Sequence, residues 1–320
     1  MRTLLFLLFI NISVSFSQTL IPYYKNHKYG YCNLKKEIII EPQFDGCGFF
    51  NDGLAWVQKG DKFGYIDIKG HIIVKPEFVI ATNYKYGSAI VYDGDHFFVI
   101  NNKGKQLNKK GFLHAIRVAD SLVACDLGDE WNIINNKNKT IFHTSEEEGL
   151  EIYWQNTDYI LVYDSSAISG IYMNLNTFKR QKETPQPKVV FSNPDSLYIV
   201  NDNKNNDSLK ELYGIADKDK NLIAPKIFNT IIADVNMEFI FCSDRKTQTS
   251  QIYIAAKKHL SQPFRGNIMG IPFKNDDDSN DADGCQLIDG KYFFLCGYSS
   301  NKIEGQNICI DEDGNVYADY

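Results

Sequence analysis

Hydrophobic residues in this chain gather in runs of four or five, each bounded by Gly, Asn, Asp or another polar residue. Examples are Leu54-Ala55-Trp56-Val57, Ser88-Ala89-Ile90-Val91, Leu122-Val123-Ala124-Cys125, Tyr159-Ile160-Leu161-Val162-Tyr163, Leu197-Tyr198-Ile199-Val200, Phe239-Ile240-Phe241-Cys242 and Tyr292-Phe293-Phe294-Leu295. No segment sustains a 3.6-residue apolar period over the length a helix needs, so these runs predict strands. A second kind of run is β-branched and leads into proline: Ile38-Ile39-Ile40 before Pro42, Ile72-Ile73-Val74 before Pro76, and Leu222-Ile223-Ala224-Pro225 one place shorter. Proline cannot donate to a ladder, so that strand is predicted to end, or to lie at a sheet edge, at the proline.

The polar positions between runs are periodic. Asn33, Asp67, Asn101 and Asn135 each open a polar turn and are spaced 34 residues apart. An Asx side chain accepts from the backbone N–H two residues on, and Gly or Asn at the fourth place tolerates positive φ, so each predicts a hairpin turn. The signal returns at Asn174, Asp217 and Asp311 with irregular spacing, and a much decayed copy lies near Ala255-Ala256-Lys257-Lys258. The 34-residue shift also carries Lys28-Tyr29-Gly30-Tyr31 onto Lys62-Phe63-Gly64-Tyr65, Pro42 onto Pro76, Phe44 onto Phe78, Gly53 onto Gly87, Ala55 onto Ala89 and Val57 onto Val91. A fixed period of this length is the mark of a repeat architecture. Three strands per unit in a meander is the reading, with about eight degenerate units filling the 320 residues. The fold expected is one all-β domain, β-propeller-like and closed, because closure removes exposed strand edges. The alternative is an open β superhelical array, whose units are also stabilised chiefly through their neighbours.

An aromatic-Gly-Tyr-Ile-Asp segment, a Lys-Gly turn, an apolar run into Pro, an aromatic, then Gly-Leu-Ala-x-Val resembles the WG repeat, also called the KWG repeat, of bacterial proteins. The units at 28–61 and 62–95 carry the resemblance, and the units over 96–320 are degenerate, with the pattern reappearing at Tyr213-Gly214-Ile215-Ala216-Asp217 and at the C-terminal turn. The eponymous Trp is replaced by Tyr29 and Phe63; Trp131 fills the slot in the fourth unit, where Asn132 stands in place of Gly. The resemblance implies an all-β repeat protein and brings no established enzymatic activity with it.

The N-terminus adds a compartment. Arg2, an apolar run from Leu4 to Val14 and Ser15-Phe16-Ser17 before Gln18 have the form of a secretory signal cleaved after Ser17, so 1–17 is expected to be removed and 18–320 to form the repeat domain. The run is too short, and too interrupted by Asn11 and Ser13, to span a bilayer, and no later segment is apolar enough to do so. A periplasmic or extracellular location follows. Seven cysteines then stand in an oxidising compartment, an odd number that leaves at least one thiol outside any intrachain bridge. Cys125 and Cys242 lie inside apolar runs and read as small buried hydrophobes. Cys285 and Cys296, flanking the Asp289-Gly290 turn, are the best bridge candidate. The net charge of −6 lacks the basic field that nucleic acid or an anionic membrane surface requires, and neither is expected as a partner.

Candidate chemistry is sparse. The six His, at 27, 71, 96, 114, 143 and 259, show no metal-ligand spacing, and no nucleophile elbow or phosphate loop occurs. The acidic run from Asp276 to Gly284 places oxygen ligands at alternate positions but fails the EF-hand register, with Asp283 at the sixth place and Asp289 at the twelfth when counted from Asp278, and reads as a solubilising loop. Glu146-Glu147-Glu148 reads as a solvated loop, and the off-register aromatics Tyr23, Tyr24, Tyr84, Tyr86, Tyr153 and Trp154 are the ones expected at the surface. No catalytic, cofactor-binding or metal residue is assigned. The function expected is that of an exported, non-enzymatic binding or scaffold protein with a protein or glycan partner. The competing class is a hydrolase whose two carboxylates converge about 5 to 9 Å apart at one mouth of the array.

Overall fold

The computed structural model describes residues 19–119, 121–145, 148–152, 159–164, 170–182, 197–201, 212–217, 219–228, 230–233, 239–244, 246–270, 285–299 and 306–319. Residues 1–17, expected to be a cleaved signal, together with the 276–284 run, Glu146, Glu147, Tyr153 and Trp154, lie outside these residues. The described chain forms eight small sheets that follow one another in sequence, each of three to five strands, with no α-helix among the described residues. The first sheet is β1 (Ile21–Lys25), β2 (Lys28–Cys32) and β3 (Ile38–Phe44); the second is β4 (Gly46–Cys47), β5 (Leu54–Lys59), β6 (Lys62–Asp67) and β7 (Ile72–Phe78). The later sheets draw their strands from residues 80–101, 114–143, 148–181, 198–228, 230–265 and 267–311. All named strand pairs are antiparallel.

One turn per sheet carries the periodic polar signal. The Asn33 side chain accepts from the N–H of Lys35 at 2.9 Å and of Glu37 at 3.0 Å, and Asp67 accepts from Lys69 at 2.9 Å and His71 at 2.8 Å. Asn101, Asn135, Asp217 and Asp311 repeat the pattern, so each Asx oxygen holds two backbone donors, one more than the i+2 bond that the motif predicts. The residue at the fourth place takes positive φ whether it is glycine (Gly70, 81°) or not (Lys36, 62°; Lys220, 65°). The decayed copy survives as backbone alone: Lys258 has φ 48° and its N–H donates to Ala255 O at 3.0 Å, with no Asx side chain involved.

The prolines do not end their strands. Tyr29 pairs with Phe44 and Tyr31 with Ile40, so β3 runs through Pro42 with two extra residues bulged against Gly30. The same step recurs across Pro76 and Pro225. A Cβ on Gly30 would sit 2.3 Å from Ile40 O, and one on Gly64 would sit 2.4 Å from Val74 O, so the motif glycine is there to admit the bulged backbone. Where Asn132 replaces it, the pairing from Asn132–His143 to Ile134–Thr140 holds only one extra residue. The expectation of an edge position holds, since β3 and β7 are the outer strands of their sheets.

Middle strands are buried on both faces where neighbouring sheets cover them, which explains continuous apolar runs in place of alternation. In Ser88–Tyr92, Ala89 and Val91 pack with Leu54, Tyr65 and Val74 of the second sheet, while Ile90 faces Val123 and Cys125 of the fourth. Equivalent packing joins the fourth to the fifth through Ile133 and Ile160, and the sixth to the seventh through Ile215 and Ile240. The motif tyrosines add a polar link: Tyr31 and Tyr65, both fully buried, donate to Gly48 O at 2.8 Å and Thr82 O at 2.7 Å, each just after the first strand of the next sheet. Finally, the last sheet meets the first. Phe293 and Cys309 pack with Ile21 and Cys32, and Phe241 and Phe294 share a cluster with Tyr29 and Tyr31. The C-terminal segment lies beside β1 through a parallel bridge between Tyr24 and Ala318, with Tyr24 N–H donating to Tyr317 O at 3.2 Å and Asp319 N–H to Tyr24 O at 2.8 Å. It occupies the edge of the first sheet that β4 fills in the second. An open array would keep its first and last units apart, so this contact makes the arrangement a closed, propeller-like ring.

Candidate functional site

The seam where the ring closes holds a cleft of about 380 Å³. Three turns and the closing segment build it. The Asn33 turn contributes Leu34, Lys35 and Lys36; the 289–290 hairpin contributes Ile288, Asp289 and Lys291; the Asp311 turn and the closing segment contribute Asn315 and Tyr317. The positive φ values at Lys36 and Asp289, 62° and 50°, turn the chain sharply at both rims.

The charges in the cleft are unevenly committed. Asp311, fully buried, accepts from the N–H groups of Asp313 and Asn315, from the Asn315 amide at 2.9 Å, and from Lys291 Nζ and the Tyr317 hydroxyl, each at 3.3 Å. Lys291 also reaches Asp313 at 2.5 Å. Burial works to lower the Lys291 pKa, but its contacts with Asp313 and Asp311 outweigh that and raise it. The Lys291 contact holds the Asp313 carboxyl below the usual carboxylate range. Burial, then the neighbouring Asp311 charge, pushes the Tyr317 phenol up, so it stays protonated and donates. Asp289 accepts from the Thr19 hydroxyl at 3.3 Å. Beside the cleft, Lys257 donates to Gly290 O at 2.7 Å, pairs with Glu312 at 2.7 Å, and lies 5.0 Å from the centre of the Tyr292 ring, and His259 Nε2 lies 3.3 Å from Asp313. Lys35 and Lys36 differ from these: both are exposed, no acidic partner pairs with either among the described residues, and Lys36 Nζ stands 5.4 Å over the Tyr317 ring.

The sequence signals fall elsewhere or dissolve into structure. His71 pairs with Asp67 of its own turn at 3.0 Å, and no group of three His, Cys, Asp or Glu suited to a metal occurs among the described residues. Glu148 begins a strand, not a loop, and its pairing with Arg180 lowers its pKa to about 2. Tyr23, Tyr24 and Tyr84, expected at the surface, are buried at 6%, 6% and 1% exposure, whereas Tyr86 is exposed at 50%. The first two are sealed by the closing segment and Tyr84 by its bond to Asn101 O at 2.8 Å, contacts that repeat register alone does not reveal. Cys125 and Cys242 are fully buried; burial pushes the Cys242 thiol up to about 12. The Cys296 side chain lies outside the described residues, so the Cys285–Cys296 pairing does too. The cleft itself was missed, and the only local sign of it was Lys35-Lys36 on a turn that in the next unit reads Lys69-Gly70.

No curated protein matches the chain in sequence. Among solved structures it is similar to a eukaryotic initiation factor at 12% identity, over 93% of this chain and 95% of that one, with a TM-score of 0.46. It is also similar to apo AztD from Citrobacter koseri at 12% identity, over 92% and 91% of the two chains, with a TM-score of 0.36, and to BamB from Moraxella catarrhalis at 9%, over 88% and 89%, with a TM-score of 0.34. The WG containing repeat matches residues 29–63 and 63–95, the first two units with their bulge-admitting glycines, so this chain carries two adjacent WG repeats at the start of its ring.

Proposed function

We propose that the protein is an exported, non-enzymatic binding scaffold that presents the seam of its ring to a partner. The observation that supports this best is the state of the two carboxylates in the cleft. Asp311 is saturated by backbone, amide, phenol and ammonium donors, and Asp289 is held by Thr19. A hydrolytic pair needs one carboxyl able to give up a proton and another free to act as base or nucleophile. A carboxylate ringed by donors is tuned for neither. Ammonium groups on exposed turns beside apolar surface are instead the components of a recognition site.

The test has two parts. N-terminal sequencing of the protein from its native host should give Gln18 in a periplasmic or extracellular fraction. A photo-crosslinker at Leu34 in the cleft should give an adduct that excess unlabelled protein competes away, and one at Ile141, exposed on an outer strand of the fourth sheet, should give none. An intact Met1 in the cytoplasm overturns the export reading. Turnover of a glycan or peptide by purified protein, lost in Asp289→Asn, overturns the non-enzymatic reading.

A further inference from the structure

The cleft also indicates what it would bind, an inference that rests on the binding-scaffold reading. Its lining combines three lysines with two aspartates, a local excess of positive charge in a chain of net −6. Lys291 is taken up by Asp311 and Asp313, which leaves the ammonium groups of Lys35 and Lys36 to meet an incoming anion. The apolar surface on offer is aliphatic. Leu34 is 45% exposed and Ile288 half-buried, while the two aromatic residues, Phe293 and Tyr317, are sealed at 0% and 3%. Sugar recognition draws on exposed aromatic faces, and here Tyr317 is buried with Lys36 Nζ standing over its ring.

We infer that the seam cleft takes an acidic peptide segment, in which an Asp or Glu side chain reaches Lys35 and Lys36 and a neighbouring aliphatic side chain lies on Leu34 and Ile288. Neither half suffices alone. An inorganic anion has no surface to cover Leu34, and a neutral apolar peptide leaves two ammonium groups without a partner as it displaces water from them. A volume of about 380 Å³ is at the lower end of the size of ligand pockets and admits two or three side chains, not a folded domain.

The experiment is fluorescence anisotropy with the mature protein and a fluorescein-labelled hexapeptide of alternating Leu and Glu. The comparison probes are the same peptide with Gln for Glu, a glucuronate trisaccharide and inorganic phosphate as competitors. Expected are saturable binding that weakens as salt rises, at least tenfold weaker binding of the Gln peptide, and no competition by trisaccharide or phosphate at the peptide's Kd. The double variant Lys35→Gln/Lys36→Asn should also weaken binding at least tenfold. Asn is chosen at 36 because it tolerates the positive φ there. Lys35→Arg keeps the charge and should bind as wild type, which separates loss of charge from damage to the turn. Equal binding by the double variant, tighter binding of the trisaccharide, or no saturation at millimolar peptide overturns the inference. If in addition the Leu34 crosslinker still captures a competable partner, the scaffold reading stands and only the ligand class fails.

Discussion

Gly64→Ala tests the bulge that organises each motif unit. An added Cβ lies 2.4 Å from Val74 O and 2.6 Å from Pro76 N, both backbone atoms of β7 that no rotamer change can move aside. Carbon pairs are most favourable near 3.5 to 4.0 Å, so β6 and β7 must part by roughly 1 Å at the point where Phe63–Phe78 and Tyr65–Val74 hold them. Overpacking that shifts backbone costs about 3 kcal/mol. For a chain of this size that lowers Tm by roughly 4 to 5 °C. The control is Gly53→Ala, where the new Cβ meets nothing within 4 Å and only the φ of +80° is strained, a cost of about 1 kcal/mol. Thermal melts by circular dichroism on both variants, with Gly30→Ala as a replicate of the first, give the ranking. If Gly64→Ala melts at or above Gly53→Ala, close backbone approach is not why the motif carries glycine.

Tyr65→Phe removes the donor to Thr82 O and should cost about 1 to 2 kcal/mol in urea titration, with Tyr31→Phe at least as costly, because the Tyr31–Gly48 bond is buried and the Tyr65–Thr82 bond only partly so. Lys220→Gly relieves an exposed lysine held at φ 65° and should raise stability by about 0.5 to 1 kcal/mol on the same assay. Glu148 has its pKa lowered to about 2, chiefly by Arg180, so its stabilisation is fully present above the ordinary glutamate range and fades as pH falls from about 4.5 toward 2. Wild type and Glu148→Gln should then differ by about 1 kcal/mol at pH 7, after allowance for solvent screening of the partly exposed pair, and converge near pH 2. Deleting Val316–Tyr320 strips the closing segment from β1, together with the 2.6 Å Lys25–Asp319 ion pair, and limited proteolysis should then cut first near residues 19–28; an unchanged cleavage pattern would show that the segment does not latch the ring.

Much of the fold was written locally. The Asx turns were legible because an Asn or Asp side chain reaches only a few residues along its own backbone, and the strands because burial on both faces demands an unbroken apolar run. Even Ala255–Lys258, without its Asx, kept enough of the period to be found. For proline, local pattern offered a strand end or a sheet edge, and the structure takes the edge. β3 continues through Pro42 because Gly30, in the facing strand, yields space for the bulge. The off-register tyrosines failed for a related reason, since Tyr23 and Tyr24 are covered by a segment nearly 300 residues away in the chain.

The sequence by itself therefore determined the all-β class, the unit length, the turns and the first two WG repeats, all of which depend on residues within one 34-residue period. Tertiary structure alone decided that the ring closes through Tyr24 and Ala318, that the edge of the first sheet is filled by the C-terminus, and that Lys35 and Lys36 share a cleft with Asp289 and Tyr317. Contacts between the two ends of a chain leave no periodic trace in either end, because each partner is selected by the shape of the closed ring and not by its neighbours in sequence.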